Sequence, residues 1–189
     1  MKRDGNKENL RTVFIAKLNG IRKDFKESSR LVIQKKLYSV PQFQNANVLS
    51  IYVSKDNEVG TSGIFASLWE SGNKVVLAPR IHGDSLEMCQ VHSWSDIVEG
   101  PYGLKEPDPR ILPFVGSIDV VIVPGLSFDM RGARLGRGKG YYDRFLKTNK
   151  TCAIGLAYGM QIHSGLPKSV CDMDMDFVIT EDRIIQGKQ

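Results

Sequence analysis

A wholly apolar run that leads into a glycine-rich cationic loop constrains this chain more than any other feature. Residues 120–123 read Val-Val-Ile-Val, and Pro124-Gly125 ends the run. Four consecutive apolar residues, three of them valine, predict a strand that is buried on both faces. The loop that follows has glycine at every second position over 136–140, and a helical pattern starts at Tyr141. The order of strand, glycine loop and helix is typical of α/β folds.

Apolar runs alternate with helical patterns along the rest of the chain. The expected strands are 47–53, 74–78, 86–91, 118–123, 152–157 and 176–180, with Pro79-Arg80 ending the second of them. The expected helices cover about 6–26, 28–39 and 61–72, in addition to the helix from Tyr141. This alternation predicts one α/β domain over residues 1–189, a three-layer, Rossmann-like fold with a largely parallel central sheet and helices on both faces. Ligands of such sheets bind beyond the carboxyl ends of the strands.

The composition is that of an ordinary globular protein, with 41% hydrophobic and 25% charged residues among 189. No apolar run reaches the length of a membrane span, and the N-terminal residues lack the apolar core of a signal peptide, so we expect a cytoplasmic protein without a membrane partner. The three cysteines form no CxxC pair, so we expect neither a disulfide framework nor a zinc site. The net charge of +5 permits an anionic partner, although a solvated basic surface explains it equally well.

The glycine loop has the chemistry of a phosphate site. It contains neither GxxxxGK[ST] nor GxGxxG, so the glycine spacing alone is weak evidence. However, Arg134, Arg137 and Lys139 lie among the glycines, and the helix after them supplies an N-terminus. Bare backbone N–H groups and fixed positive charge together favour an anionic ligand.

Four further residues have both a structural and a functional interpretation. Asp143 in the first helical turn is either a cap residue or a ligand of Mg²⁺, and Asp172 is a plausible second carboxylate. Lys7 and Arg11, four residues apart on the first helix, are either a solvated pair or a clamp on an anion.

A long motif in this region resembles the signature of the 5-formyltetrahydrofolate cyclo-ligase family, also called 5,10-methenyltetrahydrofolate synthetases. The matching residues are Pro124-Gly125-Leu126, Phe128-Asp129, Gly132, Arg134-Leu135-Gly136, Gly138 and Gly140-Tyr141-Tyr142-Asp143. The resemblance extends to Lys7 and Arg11, to Glu58 and Thr61, to Pro79-Arg80, to Tyr102-Gly103 with Glu106-Pro107, and to residues 172–181. It therefore covers nearly the whole chain.

The resemblance implies an ATP-dependent ligase that cyclises 5-formyltetrahydrofolate to 5,10-methenyltetrahydrofolate and releases ADP and phosphate. ATP would be the co-substrate and Mg²⁺ the metal. We also expect a monomer that binds no nucleic acid. The implied ATP-binding residues are Lys7, Arg11, Arg134, Leu135, Gly136, Arg137, Gly138, Lys139, Gly140, Tyr141 and Tyr142. The implied substrate-binding residues are Val53, Glu58, Tyr102, Arg137, Gly138, Lys139, Gly140 and Tyr141, with Arg137, Lys139 and Tyr141 as the catalytic residues. Asp143 and Asp172 would hold the metal.

Two alternatives remain from the sequence. One is a non-catalytic domain of the same fold that binds a nucleotide or RNA, although no RNA-binding signature is present. The other is a sugar-phosphate isomerase or an acyl-CoA transferase on a similar α/β fold, which fold class alone does not exclude. Glu58 and Tyr102 also have structural interpretations: Glu58 as a solvated acid in a loop, and Tyr102 as a side chain that anchors a loop.

Overall fold

The computed structural model describes residues 2–100 and 103–187 of the chain. The α-helices in these residues are α1 (Lys2–Asn19), α2 (Lys23–Tyr38), α3 (Pro41–Asn45), α4 (Ser62–Ser71) and α5 (Tyr141–Thr148). The strands are β1 (Val48–Ile51), β2 (Val75–His82), β3 (Ser85–Gln90), β4 (Ile97–Glu99), β5 (Lys105–Pro107), β6 (Val120–Val123), β7 (Ser127–Asp129), β8 (Arg134–Leu135), β9 (Cys152–Leu156), β10 (Ile162–His163), β11 (Phe177–Ile179) and β12 (Ile184–Gln186).

Within the described residues, the main sheet has seven strands in the order β12-β11-β9-β6-β1-β2-β3. The five inner strands, β11 to β2, run parallel, and the edge strands β12 and β3 pair with them in antiparallel fashion. The apolar run 120–123 forms β6, the central strand, and all four of its residues are buried. The predicted α/β fold with a largely parallel sheet is therefore confirmed.

The hydrophobic core has two parts, one on each face of the main sheet. Val120 and Ile122 pack in the first part, together with apolar residues of α1, α2 and α4. Val121 and Val123 pack in the second part, with Leu146 of α5. Since successive side chains of a strand point to opposite faces, the helices cover both faces, as the sequence predicts.

The first helical region differs from its prediction. We expected one helix from Asn6 to about Lys26, but α1 ends at Asn19 and α2 begins at Lys23. Gly20 ends α1 because glycine is unfavourable inside a helix, and Arg22 has an extended backbone. Apolar residues continue at helical spacing across this break, so the sequence pattern did not reveal the break.

A second difference concerns Pro79, which lies inside β2 instead of ending it. β1 pairs with β2 only as far as Leu77. On the other side Pro79 lies opposite Met88, whose carbonyl accepts a hydrogen bond from the N–H of Phe114. Pro79 has no N–H to donate, but at its position neither neighbouring strand needs one. Strand β2 therefore continues past Pro79 to His82.

Among the described residues, no helix is long and apolar enough to cross a membrane. The segment between β6 and α5, predicted as a loop, contains the short hairpin strands β7 and β8. Strand β8 ends at Leu135, directly before Gly136.

Candidate active site

A cleft of about 400 Å³ opens beyond the carboxyl ends of β1, β2 and β6, where the fold predicts a ligand. The glycine loop forms one wall, and α1, the loop after β1 and the β2–β3 hairpin form the others. The predicted site residues that line it are Lys7, Arg11, Val53, Glu58, Arg134, Leu135, Gly136, Arg137, Gly138, Lys139, Gly140, Tyr141, Tyr142, Asp143 and Asp172. Tyr102, also predicted to bind substrate, lies outside the described residues.

The glycine loop owes its shape to two residues with positive φ. Gly138 has φ +100°, and Gly140, with φ +68°, is the residue directly before α5. Both conformations disfavour any residue with a Cβ. The first turn of α5 closes when the N–H of Arg144 donates to the carbonyl of Gly140 at 3.0 Å. The glycines thus bring bare backbone and a helix N-terminus to the wall of the cleft.

Arg134, at the start of the glycine loop, is held by partners within the chain. Its side chain is only 5% exposed, and its Nη2 lies 2.8 Å from Oδ2 of Asp143. Nη1 donates to the carbonyl of Pro124 at 3.2 Å, and the guanidinium carbon lies 5.7 Å from the ring centre of Tyr142. The guanidinium of Arg134 therefore orients Asp143 and neutralises its charge.

One backbone hydrogen bond connects Asp143 with the segment that contains Asp172. Oδ1 of Asp143 accepts a hydrogen bond from the N–H of Met173, the residue directly after Asp172, at 3.1 Å. Oδ2 of Asp172 accepts from the N–H of Ser169 at 2.6 Å. The described residues contain no group of three or more His, Cys, Asp or Glu that could hold a metal ion. Two carboxylates beside a phosphate site nevertheless suit Mg²⁺, which takes its remaining ligands from phosphate and water.

Helix α1 reaches the cleft through two cations. Nζ of Lys7 lies 2.5 Å from Oδ2 of Asp172. Burial raises the pKa of Asp172, but the Lys7 ammonium group and the hydrogen bonds from Ser169 outweigh this effect, so the pKa lies below its usual value. Nε of Arg11 donates to the carbonyl of Gly136 at 3.1 Å, so α1 is attached to the glycine loop itself.

Glu58 and Arg137 connect the loop after β1 with the glycine loop. Nη2 of Arg137 donates to Oε1 of Glu58 at 3.2 Å and to Oδ1 of Asn57 at 2.9 Å. The other oxygen of Glu58 accepts from the N–H of Lys55 at 3.0 Å, and its side chain is 11% exposed. Glu58 is therefore a largely enclosed carboxylate in the cleft, which argues against a solvated loop acid.

Sequence reasoning missed the apolar wall that faces the glycine loop. Pro79 and Ile81 of β2, Leu86 of β3 and Leu104 line this side of the cleft. The hairpin between β2 and β3 contacts α5, because Nε of Arg144 in α5 donates to the carbonyl of Asp84 at 2.8 Å. Treating Pro79 as the end of a strand removed the hairpin from the prediction. The alternation of apolar residues at 79 and 81 was the signal available.

Glu106 is a second buried acid that the sequence did not place in the cleft. It belongs to β5, is 7% exposed, and lines the cleft. Its Oε2 accepts from the N–H of Ile81 at 3.1 Å, so it fixes β5 against the extended end of β2. Together with the apolar wall, it gives one side of the cleft the character of a pocket for a flat, partly polar ring.

Two tyrosine side chains, one buried and one partly buried, lie close to these charges. Tyr52 and Tyr142 both line the cleft, and burial raises the pKa of each above the usual value for tyrosine, with the charge of Glu58 adding to the effect. Both hydroxyls therefore keep their protons to a higher pH than an ordinary tyrosine does.

Comparison with known proteins gives a consistent result. The sequence model of the 5-formyltetrahydrofolate cyclo-ligase family matches residues 3–181. A 5-formyltetrahydrofolate cyclo-ligase of Mus musculus is 31% identical over 191 residues, which covers 93% of this chain and 94% of the relative. A probable 5-formyltetrahydrofolate cyclo-ligase of Caenorhabditis elegans is 30% identical over 194 residues, with 95% of this chain and 94% of the relative covered.

Solved structures agree with the sequence comparison. The NMR structure of a 5,10-methenyltetrahydrofolate synthetase from Aquifex aeolicus superposes with a TM-score of 0.84 at 28% identity, covering 97% of this chain and 93% of that one. A synthetase of the same name from Mycoplasma pneumoniae has a TM-score of 0.73 at 22% identity and covers 93% and 98% of the two chains. At that identity, the second likeness supports the fold alone.

Proposed function

The chain belongs to the 5-formyltetrahydrofolate cyclo-ligase family, and from this premise we propose that it cyclises 5-formyltetrahydrofolate to 5,10-methenyltetrahydrofolate with conversion of ATP to ADP and phosphate. One observation carries the assignment of this activity to the cleft. The same cavity is lined by a cationic glycine loop, by the enclosed carboxylate of Glu58 and by an apolar wall. A triphosphate fits the glycine loop, and a reduced pterin fits the carboxylate and the apolar wall.

The glycine loop cradles the triphosphate in this proposal. Backbone N–H groups around Gly136, Gly138 and Gly140 approach the phosphate oxygens closely. Arg137 and Lys139 neutralise the charge that develops on the transferred phosphoryl group, and Lys7 and Arg11 close the site from α1. Such transfer depends on positioning and charge neutralisation rather than on a covalent nucleophile.

The pterin occupies the opposite side. Glu58 accepts hydrogen bonds from the N–H donors of the ring, because an ionised carboxylate only accepts. Val53, together with Pro79, Ile81 and Leu86, packs against the ring and excludes water. Tyr141 lies where the two ligands meet, and its hydroxyl is 3.5 Å from the carbonyl of Gly83 in the hairpin.

The reaction follows from the poor leaving ability of an amide oxygen. The formyl oxygen attacks the γ-phosphorus of ATP, the bond to ADP breaks, and an imidate-like phosphate forms. N10 then attacks the formyl carbon, the carbon–oxygen bond breaks, and phosphate leaves with the N10 proton. Phosphorylation thus converts a poor leaving group into a good one, and the chain supplies orientation and positive charge.

Asp143 and Asp172 are the residues that we propose to hold Mg²⁺. Both residues line the same cleft as the glycine loop, and Asp143 accepts a hydrogen bond from the backbone of the residue after Asp172, which supports this role. When bound, the ion would neutralise phosphate charge. Arg134 and Lys7 meanwhile fix the orientation of the two carboxylates.

The test is the appearance of the methenyl product, followed by its absorbance, from 5-formyltetrahydrofolate with ATP and Mg²⁺. We expect product only when both are present, with one ADP formed per turnover. A domain that only binds a nucleotide or RNA, or an isomerase, would give neither product nor folate-dependent ADP. Omission of ATP without loss of product would contradict the proposal.

Other expectations from the sequence remain predictions. They are a cytoplasmic location, a monomeric state, a single domain over residues 1–189 and the lack of a nucleic-acid partner. Gel filtration at micromolar concentration tests the monomer.

A further inference from the structure

Asn57 lies between α1 and the glycine loop and contacts both. Its Oδ1 accepts a hydrogen bond from Nη2 of Arg137 at 2.9 Å, and its Nδ2 donates to Oδ1 of Asn19 at 3.0 Å. Since Asn19 accepts from the amino end of the amide, the oxygen end faces the guanidinium. Asn57 is therefore held in the orientation that Arg137 requires.

The other acceptor of Arg137 has a competing role. Oε1 of Glu58 lies 3.2 Å from Nη2 of Arg137, while Oε2 of Glu58 is already bonded to the N–H of Lys55. In the proposed function, the same carboxylate receives the N–H donors of the pterin. When the pterin binds, Glu58 has less capacity left for Arg137.

Asn57 keeps its amide oxygen available when Glu58 is occupied. The side chain of Arg137 is 38% exposed. Without a fixed acceptor, its guanidinium would therefore be free to rotate into solvent and would no longer have one orientation. An acceptor that is itself held by Asn19 reduces the entropy lost when Arg137 is ordered. The arginine then already lies at the junction between the glycine loop and the pterin side before the phosphoryl group moves.

We propose that Asn57 is a positioning residue for the reaction, which keeps Arg137 at the junction of the two ligands after the pterin has taken Glu58. This inference rests on the proposed function. Asn57 acts through Arg137 and touches neither substrate. Its removal should therefore lower turnover more than it changes the binding of 5-formyltetrahydrofolate.

The experiment compares Asn57→Ala with Asn57→Asp, which keeps an oxygen acceptor for Arg137. We expect Asn57→Ala to lower kcat by about tenfold, the lower range for one lost hydrogen bond to a charged group, with KM for 5-formyltetrahydrofolate changed less than about twofold. Asn57→Asp should retain kcat within about threefold. The matched control is Asn73→Ala, an exposed asparagine whose Oδ1 also accepts one side-chain hydrogen bond, and it should leave kcat unchanged.

A second arm separates positioning from a general structural effect. In an Arg137→Ala background, Asn57→Ala should cause no further loss of kcat, because its target is gone. An equal loss in both backgrounds, or full kcat in Asn57→Ala, would overturn the positioning role while leaving the proposed function intact. A wild-type protein that forms no methenyl product would overturn the proposed function, and this inference with it.

Discussion

Lys139 is the lysine of the glycine loop that we propose to neutralise the transferred phosphoryl group. It lines the cleft between the two glycines with positive φ. Preorganised charge next to a transferred phosphoryl group typically contributes roughly 2–4 kcal/mol to transition-state stabilisation. We therefore expect Lys139→Ala to lower kcat/KM by about 30-fold to 1000-fold. Steady-state kinetics of methenyl formation measures this loss.

Lys147→Ala provides the matched control for Lys139. Lys147 is an exposed lysine in the last turn of α5, away from the cleft lining. Its removal takes the same charge from the protein without touching the glycine loop. Equal losses in the two variants would show that net charge, and not the position of Lys139, controls the rate.

The three cysteines differ in reactivity because they differ in environment. Burial raises the pKa of Cys89 and raises the pKa of Cys152 to about 12, while Cys171 is exposed. The thiolate is the reactive form, so Cys171 alone should react quickly with a thiol reagent near pH 8. A chromogenic disulfide reagent should titrate one fast thiol in the native protein and three after unfolding. Cys171→Ser should abolish the fast phase, and a fast phase that remained would contradict the assignment.

The conformation of the glycine loop depends on a glycine at position 138. Gly138 has φ +100°, and a Cβ there would lie 3.4 Å from the guanidinium carbon of Arg11. Gly138→Ala should therefore distort the loop, destabilise the protein by about 1 kcal/mol and lower kcat/KM at least about tenfold. Kinetics and thermal unfolding of the same samples measure both effects.

Gly165→Ala is the comparison for Gly138. A Cβ at Gly165 would meet nothing within 4 Å, and its backbone needs no positive φ. Replacing this glycine should leave activity unchanged and should not lower stability. If both variants lost activity equally, the loop conformation at Gly138 would not be the cause.

The same element shows what local sequence patterns can predict. Burial of β6 and the start of α5 at Tyr141 follow from adjacent residues, because an apolar run and a glycine stop are local signals. The hairpin wall was missed because continuation of β2 past Pro79 depends on where β1 stops pairing, which is a property of the sheet. The break between α1 and α2 was predicted near residue 27 instead of at 20–22, because both helices supply apolar residues to one core.

At the scale of the molecule, the cleft assembles residues that are far apart in the chain. Lys7 pairs with Asp172, and Arg137 pairs with Glu58. The resemblance to the family placed these residues in one site, but the pairs themselves depend on how α1 and the loop after β1 pack on the sheet. Sequence patterns pointed to the candidate residues of the site. Only the packing shows which cationic side chain pairs with which carboxylate.

Tyrosines in the core and at the cleft make the stability of the whole fold depend on pH. Burial is the main cause that raises the pKa of Tyr52 and Tyr142 above the usual value and that of Tyr158 to about 12. In the unfolded chain these groups ionise near pH 10, whereas the folded protein keeps their protons. Their contribution to stability is therefore complete below about pH 10 and is lost as the pH rises toward 12. The free energy of unfolding should fall over this range.

Chemical denaturation at a series of pH values measures this fall, and Tyr158→Phe tests its origin. The hydroxyl of Tyr158 donates to the carbonyl of Glu58 at 3.2 Å, and the variant removes only that group. Because phenylalanine does not ionise, the stability of the variant should decline less steeply between about pH 10 and 12. The tyrosinate absorbance of the wild-type protein should also rise together with the loss of helical circular dichroism. An identical slope in both proteins would show that other groups, and not Tyr158, control alkaline unfolding.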